Sequence, residues 1–122
     1  MRSYRFGKVF LVVAALLLFS SVSSYAAVPA GEPIKIGYLA ILTGDGSTWG
    51  QHEKEGAQLA VKEFNEAGGV LGRPLELICY DVRGRQEDAI NAARRLIHED
   101  KVCVIGGTNY SGLNLATASV IE

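Results

Sequence analysis

Apolar positions fall into short continuous runs and helical stripes, and the two kinds alternate along residues 34–122. Ile34 to Leu42 is a nearly unbroken apolar run rich in β-branched residues, the pattern of a strand buried on both faces. Thr43-Gly-Asp-Gly-Ser-Thr48 cannot continue that strand, and Ser47 or Thr48 is placed to cap a following helix. In that helix Ala57, Ala60, Val61 and Phe64 stand at i, i+3, i+4 and i+7, a stripe predicted to face the sheet. Glu53, Lys54, Glu55, Lys62, Glu63 and Glu66 fill its solvent side, and Gly68-Gly69 supplies a left-handed stop. Val70 to Pro74 reads as a tight turn into a second strand, Leu75–Tyr80, which Asp81 ends before the loop Arg83-Gly84-Arg85. A second helix is predicted over Gln86–Glu99, with Ala89, Ala92, Ala93, Leu96 and Ile97 turned inward. Its early Glu87 and Asp88 and late Arg94 and Arg95 are surface charges that suit the helix dipole. Val102–Ile105 predicts a third strand, Gly106-Gly107 opens the next loop, and a third helix starts near Ser111. The order βαβαβα gives an α/β fold with a parallel sheet, flanking helices and right-handed crossovers.

Residues 1–26 belong to a different pattern. Arg2, Arg5 and Lys8 precede an unbroken apolar run of eleven residues, Val9 to Phe19, and Ser24-Tyr25-Ala26 places small residues at −3 and −1 of a cleavage point before Ala27. That is an export signal. The run is too short for a membrane anchor, which needs about 20 apolar residues, and no cysteine at the junction indicates lipid attachment. The mature chain is expected to be exported, in a double-membrane bacterium to the periplasm, with Ala27–Pro33 as a Pro/Gly linker ahead of the first strand.

Composition and charge narrow the function classes. At 48% apolar residues the chain is not disordered. The net charge of −1 hides a split: residues 1–26 hold three of the 12 basic residues and none of the 13 acidic ones, leaving the remainder at −4. No basic surface tracks a phosphate backbone, which argues against nucleic acid as a partner. An exported context permits a disulfide. If the strand order is 2-1-3, however, Cys79 and Cys103 are two strand spacings apart, roughly 9–10 Å, beyond the approximately 7 Å that a bridge allows. Two buried free thiols are expected. The cysteines with His52 and His98 fit no zinc spacing, and the histidines fall on helix surfaces.

Enzymatic readings find little support. Gly44-Asp-Gly46-Ser-Thr-Trp-Gly50 resembles a dinucleotide-binding turn only superficially: the acidic residue ending the second strand, Asp81, lies 37 positions after Gly44 rather than about 20. No Ser–His–Asp constellation can be proposed from the sequence, and nothing places any two of Asp45, Glu53 and Asp81 around one substrate. No catalytic residue, cofactor or metal is assigned.

Two loops do offer a binding site. Both run from the carboxyl end of a predicted parallel strand to a helix N-terminus, where open α/β sheets hold ligands. The first carries Trp49. The second, Gly106-Gly-Thr-Asn-Tyr-Ser-Gly112, carries hydroxyls, an amide and a phenol where helix N–H groups favour a carboxylate. Ser111 is either a helix cap, a ligand to that carboxylate, or both; Trp49 and Tyr110 are either apolar walls of a pocket or anchors of their loops.

These segments also carry a resemblance. Ile34-Lys-Ile-Gly-Tyr-Leu, Leu42-Thr-Gly, Gly50 followed by Gly56-Ala-Gln-Leu-Ala-Val, Phe64-Asn-Glu-Ala-Gly-Gly-Val-Leu-Gly-Arg-Pro-Leu-Glu-Leu, Tyr80-Asp81 and Val104-Ile-Gly-Gly resemble the type I periplasmic substrate-binding proteins, in the leucine/isoleucine/valine-binding branch that feeds ABC importers. The likeness covers residues 33–122. It implies a two-lobed protein that closes on an amino acid or similar small polar solute and docks on a membrane permease. Position by position it implies that Ser111, allowing one inserted residue, holds the ligand carboxylate and that Trp49 lines the pocket, with Asn109 and Tyr110 beside them. The branch's disulfide is not implied, because Cys79 and Cys103 fall elsewhere. Measured against the family, residues 34–122 amount to part of an N-terminal lobe, so a fragment unable to bind tightly alone is expected. A ligand-sensing receptor ectodomain of the same fold is the alternative, which a membrane span further along a full-length sequence would favour.

Overall fold

A computed structural model describes residues 30–121; the export signal and the start of the linker lie outside the described residues. Six elements follow in the expected alternation: β1 (Ile34–Ala40), α1 (Ser47–Glu66), β2 (Leu75–Asp81), α2 (Gln86–His98), β3 (Val104–Gly107) and α3 (Ser111–Ile121). The three strands form one parallel sheet in the order β2-β1-β3. Ile34 pairs with Leu75 and Ala40 with Asp81 on one side of β1, while Ile36 pairs with Val104 and Leu39 with Gly107 on the other.

The core lies between the sheet and the α2–α3 pair. Leu39, Ile41, Val82, Ala89, Ala92, Ala93, Leu96 and Leu113 are buried there, with Ile78, Tyr80, Ile105 and Val120 packed against them. The alanines of α2 let the helix settle close to the strands, and Leu96 fills the space over Gly37: a Cβ on that glycine would come within 2.8 Å of a Leu96 methyl. Four of the five residues of the inward stripe predicted for α2 therefore form the core face of the molecule, while Ile97 is half-buried outside the core cluster.

The opposite face, under α1, departs from the sequence pattern. Ala57 and Val61 are half-buried, but Ala60 is exposed and Phe64 is 55% exposed. The ridge against β1 and β2 instead runs through Gly50, Lys54, Ala57, Val61 and Asn65, none of them exposed. Asn65 accepts from the Leu75 N–H at 2.7 Å and donates to its carbonyl at 2.9 Å, clamping the helix to the start of β2. The predicted cap differs too: Gly46, in the left-handed region with φ +89°, holds the N-cap position without a side-chain bond, and Ser47 is the first helical residue. The glycine stop is as expected. Gly68 and Gly69 both have positive φ, and the Gly69 N–H returns to the Phe64 carbonyl at 2.8 Å.

β3 is shifted two residues later than expected. Gly106 and Gly107 belong to the strand rather than the loop, because parallel pairing brings Gly107 against the Leu39 backbone so closely that a Cβ would collide with the Leu39 carbonyl. Cys103 consequently precedes the strand, its N–H donating to the Lys35 carbonyl. Both cysteines are free, with β1 between them, but only Cys79 is partly covered; Cys103 is exposed, not buried. Burial pushes the Cys79 thiol up, the Lys54 ammonium opposes this, and the Asp81 carboxylate adds to it. Arg95 is more than a surface charge: its guanidinium stacks 4.6 Å over the Tyr80 ring and pairs with Glu99 at 3.1 Å. The described end of the Pro/Gly stretch is also tied down, since Arg73 donates to the Glu32 and Pro33 carbonyls.

Candidate ligand-binding site

Parallel strands bring the loops after β1, β2 and β3 to one edge of the sheet, and hydrogen bonds fix the first and third of them closely. After β1, the Leu42 N–H donates to Asp81 Oδ1 at 2.9 Å and the Thr43 hydroxyl to Asp81 Oδ2 at 2.6 Å. Gln51 Nε2 donates to the Leu42 carbonyl at 3.3 Å from the first turns of α1. Gly50 is buried directly on the Ile41 carbonyl, where any Cβ would overlap that oxygen. The N-terminus of α1 is thereby set on the end of β1, and Trp49, one residue earlier, is carried outward, 66% exposed.

After β3, the Thr108 N–H donates to the Leu39 carbonyl at 2.9 Å. Thr108 is buried with a left-handed φ of +39°, a costly conformation for a β-branched residue. Asn114 holds it there: its Oδ1 accepts from the Thr108 hydroxyl at 2.9 Å and its Nδ2 donates to the Thr108 carbonyl at 3.1 Å. Tyr110, not Ser111, occupies the cap position of α3, since its carbonyl accepts from the Leu113 and Asn114 N–H groups. Ser111 is the first helical residue and is exposed, as is Asn109.

The two loops touch. The Tyr110 hydroxyl lies 2.7 Å from where a Cβ on Gly46 would stand, so the phenol packs against the glycine that caps α1. Of the four residues singled out by sequence, Asn109, Tyr110 and Ser111 are contiguous, and Tyr110 is the one joined to the loop that leads to Trp49. An open groove of about 410 Å³ runs along β3 and α3, lined by Leu39, Ile105, Gly107, Asn114, Thr117 and Ile121 among others. Among the described residues there is no cluster of three or more His, Cys, Asp or Glu that could hold a metal. What the edge of the sheet offers is two helix N-termini, the Tyr110 ring against Gly46, an exposed Trp49 on the first turn of α1, and a serine hydroxyl on the first turn of α3.

Residues 33–122 match the family model described as periplasmic binding protein. The chain belongs to that family. Within it the likeness is to the type I, Leu/Ile/Val-binding branch, a group of non-enzymatic solute-binding proteins of ABC transporters. The Leu/Ile/Val-binding protein homolog 7 of Brucella suis is 38% identical over 112 residues, covering 92% of this chain and 26% of that relative. The structure of the branched-chain amino acid transporter substrate-binding protein LivJ of Streptococcus pneumoniae, in complex with isoleucine, matches with a TM-score of 0.70 and 33% identity, over 72% of this chain and 25% of that one. A solute-binding protein of an ABC transporter from Rhodopseudomonas palustris, in complex with 3,4-dihydroxybenzoic acid, matches with a TM-score of 0.67 and 27% identity, over 74% of this chain and 24% of that one. This chain thus spans about a quarter of the length of these relatives. The three parallel strands and their helices correspond to part of the N-terminal lobe of the type I periplasmic binding fold.

Asp81, Thr43, Thr108, Asn114 and Gly50 shape this edge of the periplasmic binding fold, in roles that the sequence does not assign to them. Asp81 was visible as the acidic end of a strand, and the Gly50 position was visible as a glycine inside a helix, where it is unfavourable unless something approaches closely. Thr108 was visible only as a hydroxyl of the loop after β3, and Asn114 carried no signal, because the bonds that join them depend on the turn between them.

Proposed function

We propose that this chain is part of the extracytoplasmic solute-binding component of an ABC importer, which binds an amino acid or related small polar solute in the periplasm and delivers it to a membrane permease. The observation that carries the reading is the contact of Tyr110 with Gly46, which joins the loops after β1 and β3 into one surface at the carboxyl edge of the sheet. Two helix N-termini meet that surface, and their unsatisfied N–H groups favour an anion. Isoleucine and 3,4-dihydroxybenzoic acid, the ligands of two structural relatives, differ in everything except a carboxylate. The shared group fits the N-terminus of α3, with Ser111 donating its hydroxyl and the neighbouring amides completing the cradle. Trp49 provides an apolar wall, and Asn109 and Tyr110 form the rim. Residues 1–26 act as the export signal, residues 27–33 link it to the fold, and residues 34–122 form part of the first jaw. The rest of the length seen in the relatives is the source of the second jaw, which selects the ligand's side chain.

Calorimetric titration of the full-length, signal-free protein with branched-chain amino acids and 3,4-dihydroxybenzoate tests this. The expected result is saturable one-to-one binding of at least one of these carboxylates, weakened at least about tenfold by Ser111→Ala. Absence of binding to every carboxylate of the panel would overturn the reading.

A further inference from the structure

We propose that Asp81 is the positioning residue of the ligand-binding loop after β1, an inference that rests on the solute-binding reading above. β2 is an edge strand that turns away directly after Asp81: the Val82 N–H still pairs with the Ala40 carbonyl at 2.9 Å, but the Arg85 N–H already closes a turn onto Val82 at 2.8 Å, and Arg83 has φ +49°. No strand carbonyl follows to receive the next N–H that faces β2 just beyond β1, that of Leu42. The Asp81 carboxylate takes that place. Its Oδ1 accepts from the Leu42 N–H and, at 3.0 Å, from the Arg83 N–H, and its Oδ2 accepts from the Thr43 hydroxyl.

One side chain thus closes its own turn and anchors the neighbouring loop 38 and 39 positions away in sequence. Leu42 is gripped from both sides, since its carbonyl is held by Gln51 of α1. The chain then has only Gly44, Asp45 and Gly46 before α1 begins, and two of these are glycines in left-handed conformations that restrain the backbone little by themselves. The direction in which Gly46 meets Tyr110, and in which Trp49 leaves the first turn, therefore depends on the anchor at positions 42 and 43. Asp81 is not part of the buried apolar cluster, so its bonds order the loop rather than fill the core. The requirement is for acceptors, not for charge as such: an asparagine keeps Oδ1 for the two N–H groups, and its Nδ2 can donate to a reversed Thr43 hydroxyl.

The test compares full-length wild type, Asp81→Ala, Asp81→Asn and Thr43→Val, reading leucine, isoleucine, valine and 3,4-dihydroxybenzoate affinity by calorimetry and amide exchange at Leu42 and Arg83 without ligand. Asp81→Ala is expected to weaken binding at least about tenfold and to speed exchange at both amides, with Asp81→Asn within about threefold of wild type and Thr43→Val between them. Should Asp81→Ala fail to fold, Thr43→Val decides the matter, since it removes one loop bond and leaves the turn intact. Wild-type affinity in Asp81→Ala, or in Thr43→Val when it alone is available, overturns the inference, as does an equal loss in Asp81→Ala and Asp81→Asn. Wild-type protein that binds no branched-chain amino acid and no 3,4-dihydroxybenzoate overturns the solute-binding reading instead. The exchange rates then judge the anchor alone, and protection of Leu42 unchanged in Asp81→Ala refutes it.

Discussion

The two faces of the sheet are built by different means. Against α2 and α3 the packing is apolar and closed: Val82, Ala93 and Leu96 have no exposed surface, and Leu39 and Ile41 almost none. Under α1 the cover is thin, with Phe64 55% and Val104 53% exposed. That helix is held mainly at its ends, by Gly50 and Gln51 against the end of β1 and by the paired bonds of Asn65 to Leu75. Apolar area supplies stability but little direction, whereas backbone bonds and a glycine contact fix the position of a helix to a fraction of its width. The α2–α3 face therefore keeps the domain folded, and the polar ends of α1 place the loop that carries Trp49.

Four substitutions or conditions would break or sharpen this contrast. Leu96→Ala on the closed face should cost about 2–5 kcal/mol, since it removes a fully buried side chain over Gly37 and leaves a cavity; denaturant unfolding measures it, and a loss under about 1 kcal/mol would show that the core lies elsewhere. Asn65→Ala should cost about 1–3 kcal/mol by stranding the Leu75 N–H and carbonyl, an effect visible in the same assay and as faster exchange of the Leu75 amide. Phe64→Ser, although it alters the largest apolar side chain of the predicted α1 stripe, should cost below about 1 kcal/mol because more than half of the ring is already in water.

The smallest expected effect is electrostatic. Burial alone would raise the Asp81 carboxyl, but the hydrogen bonds from Thr43, Arg83 and Leu42 outweigh it and hold the group below the ordinary carboxylate value. A depressed folded-state value contributes stability that is present above the unfolded value, about 3.9 for aspartate, and is lost as pH falls through the lower folded-state value. The stability difference between wild type and Asp81→Asn should therefore shift against wild type as the medium is acidified from about pH 4 downward, measured by urea midpoints at each pH. A difference that stays constant over that range would show that the carboxylate is not engaged.

The alternation of strands and helices was legible because each apolar block is long and its period unambiguous. Of the α2 stripe, Ala89, Ala92, Ala93 and Leu96 became core, and Ile97 stayed half-buried outside it. The α1 stripe was legible only in part: Ala57 and Val61 face the sheet, but Ala60 and Phe64 fall to the flank because Gly50 and Asn65 set the rotation of the helix. No hydrophobicity pattern encodes a glycine docked on a carbonyl. The shift of β3 has a similar origin, since a Gly-Gly pair reads as a breaker until a neighbouring backbone occupies the space that side chains would need. In the candidate site, Trp49, Asn109, Tyr110 and Ser111 stood out by residue type and by their place at the start of a helix. The contact of Tyr110 with Gly46, and the bonds from Leu42 and Thr43 to Asp81, were not legible: each joins residues far apart in sequence and exists only once the parallel register is set.

The most direct test of the claim that the loops after β1 and β3 form the ligand site is the fluorescence of Trp49 in the full-length protein during titration with isoleucine and 3,4-dihydroxybenzoate, with Trp49→Phe as the control for any other emitter. A saturable change that follows the calorimetric isotherm and disappears in Trp49→Phe is the predicted result. Saturable binding by calorimetry with an emission change identical in wild type and Trp49→Phe would contradict it, placing the ligand away from the edge of the sheet where Gly46 meets Tyr110.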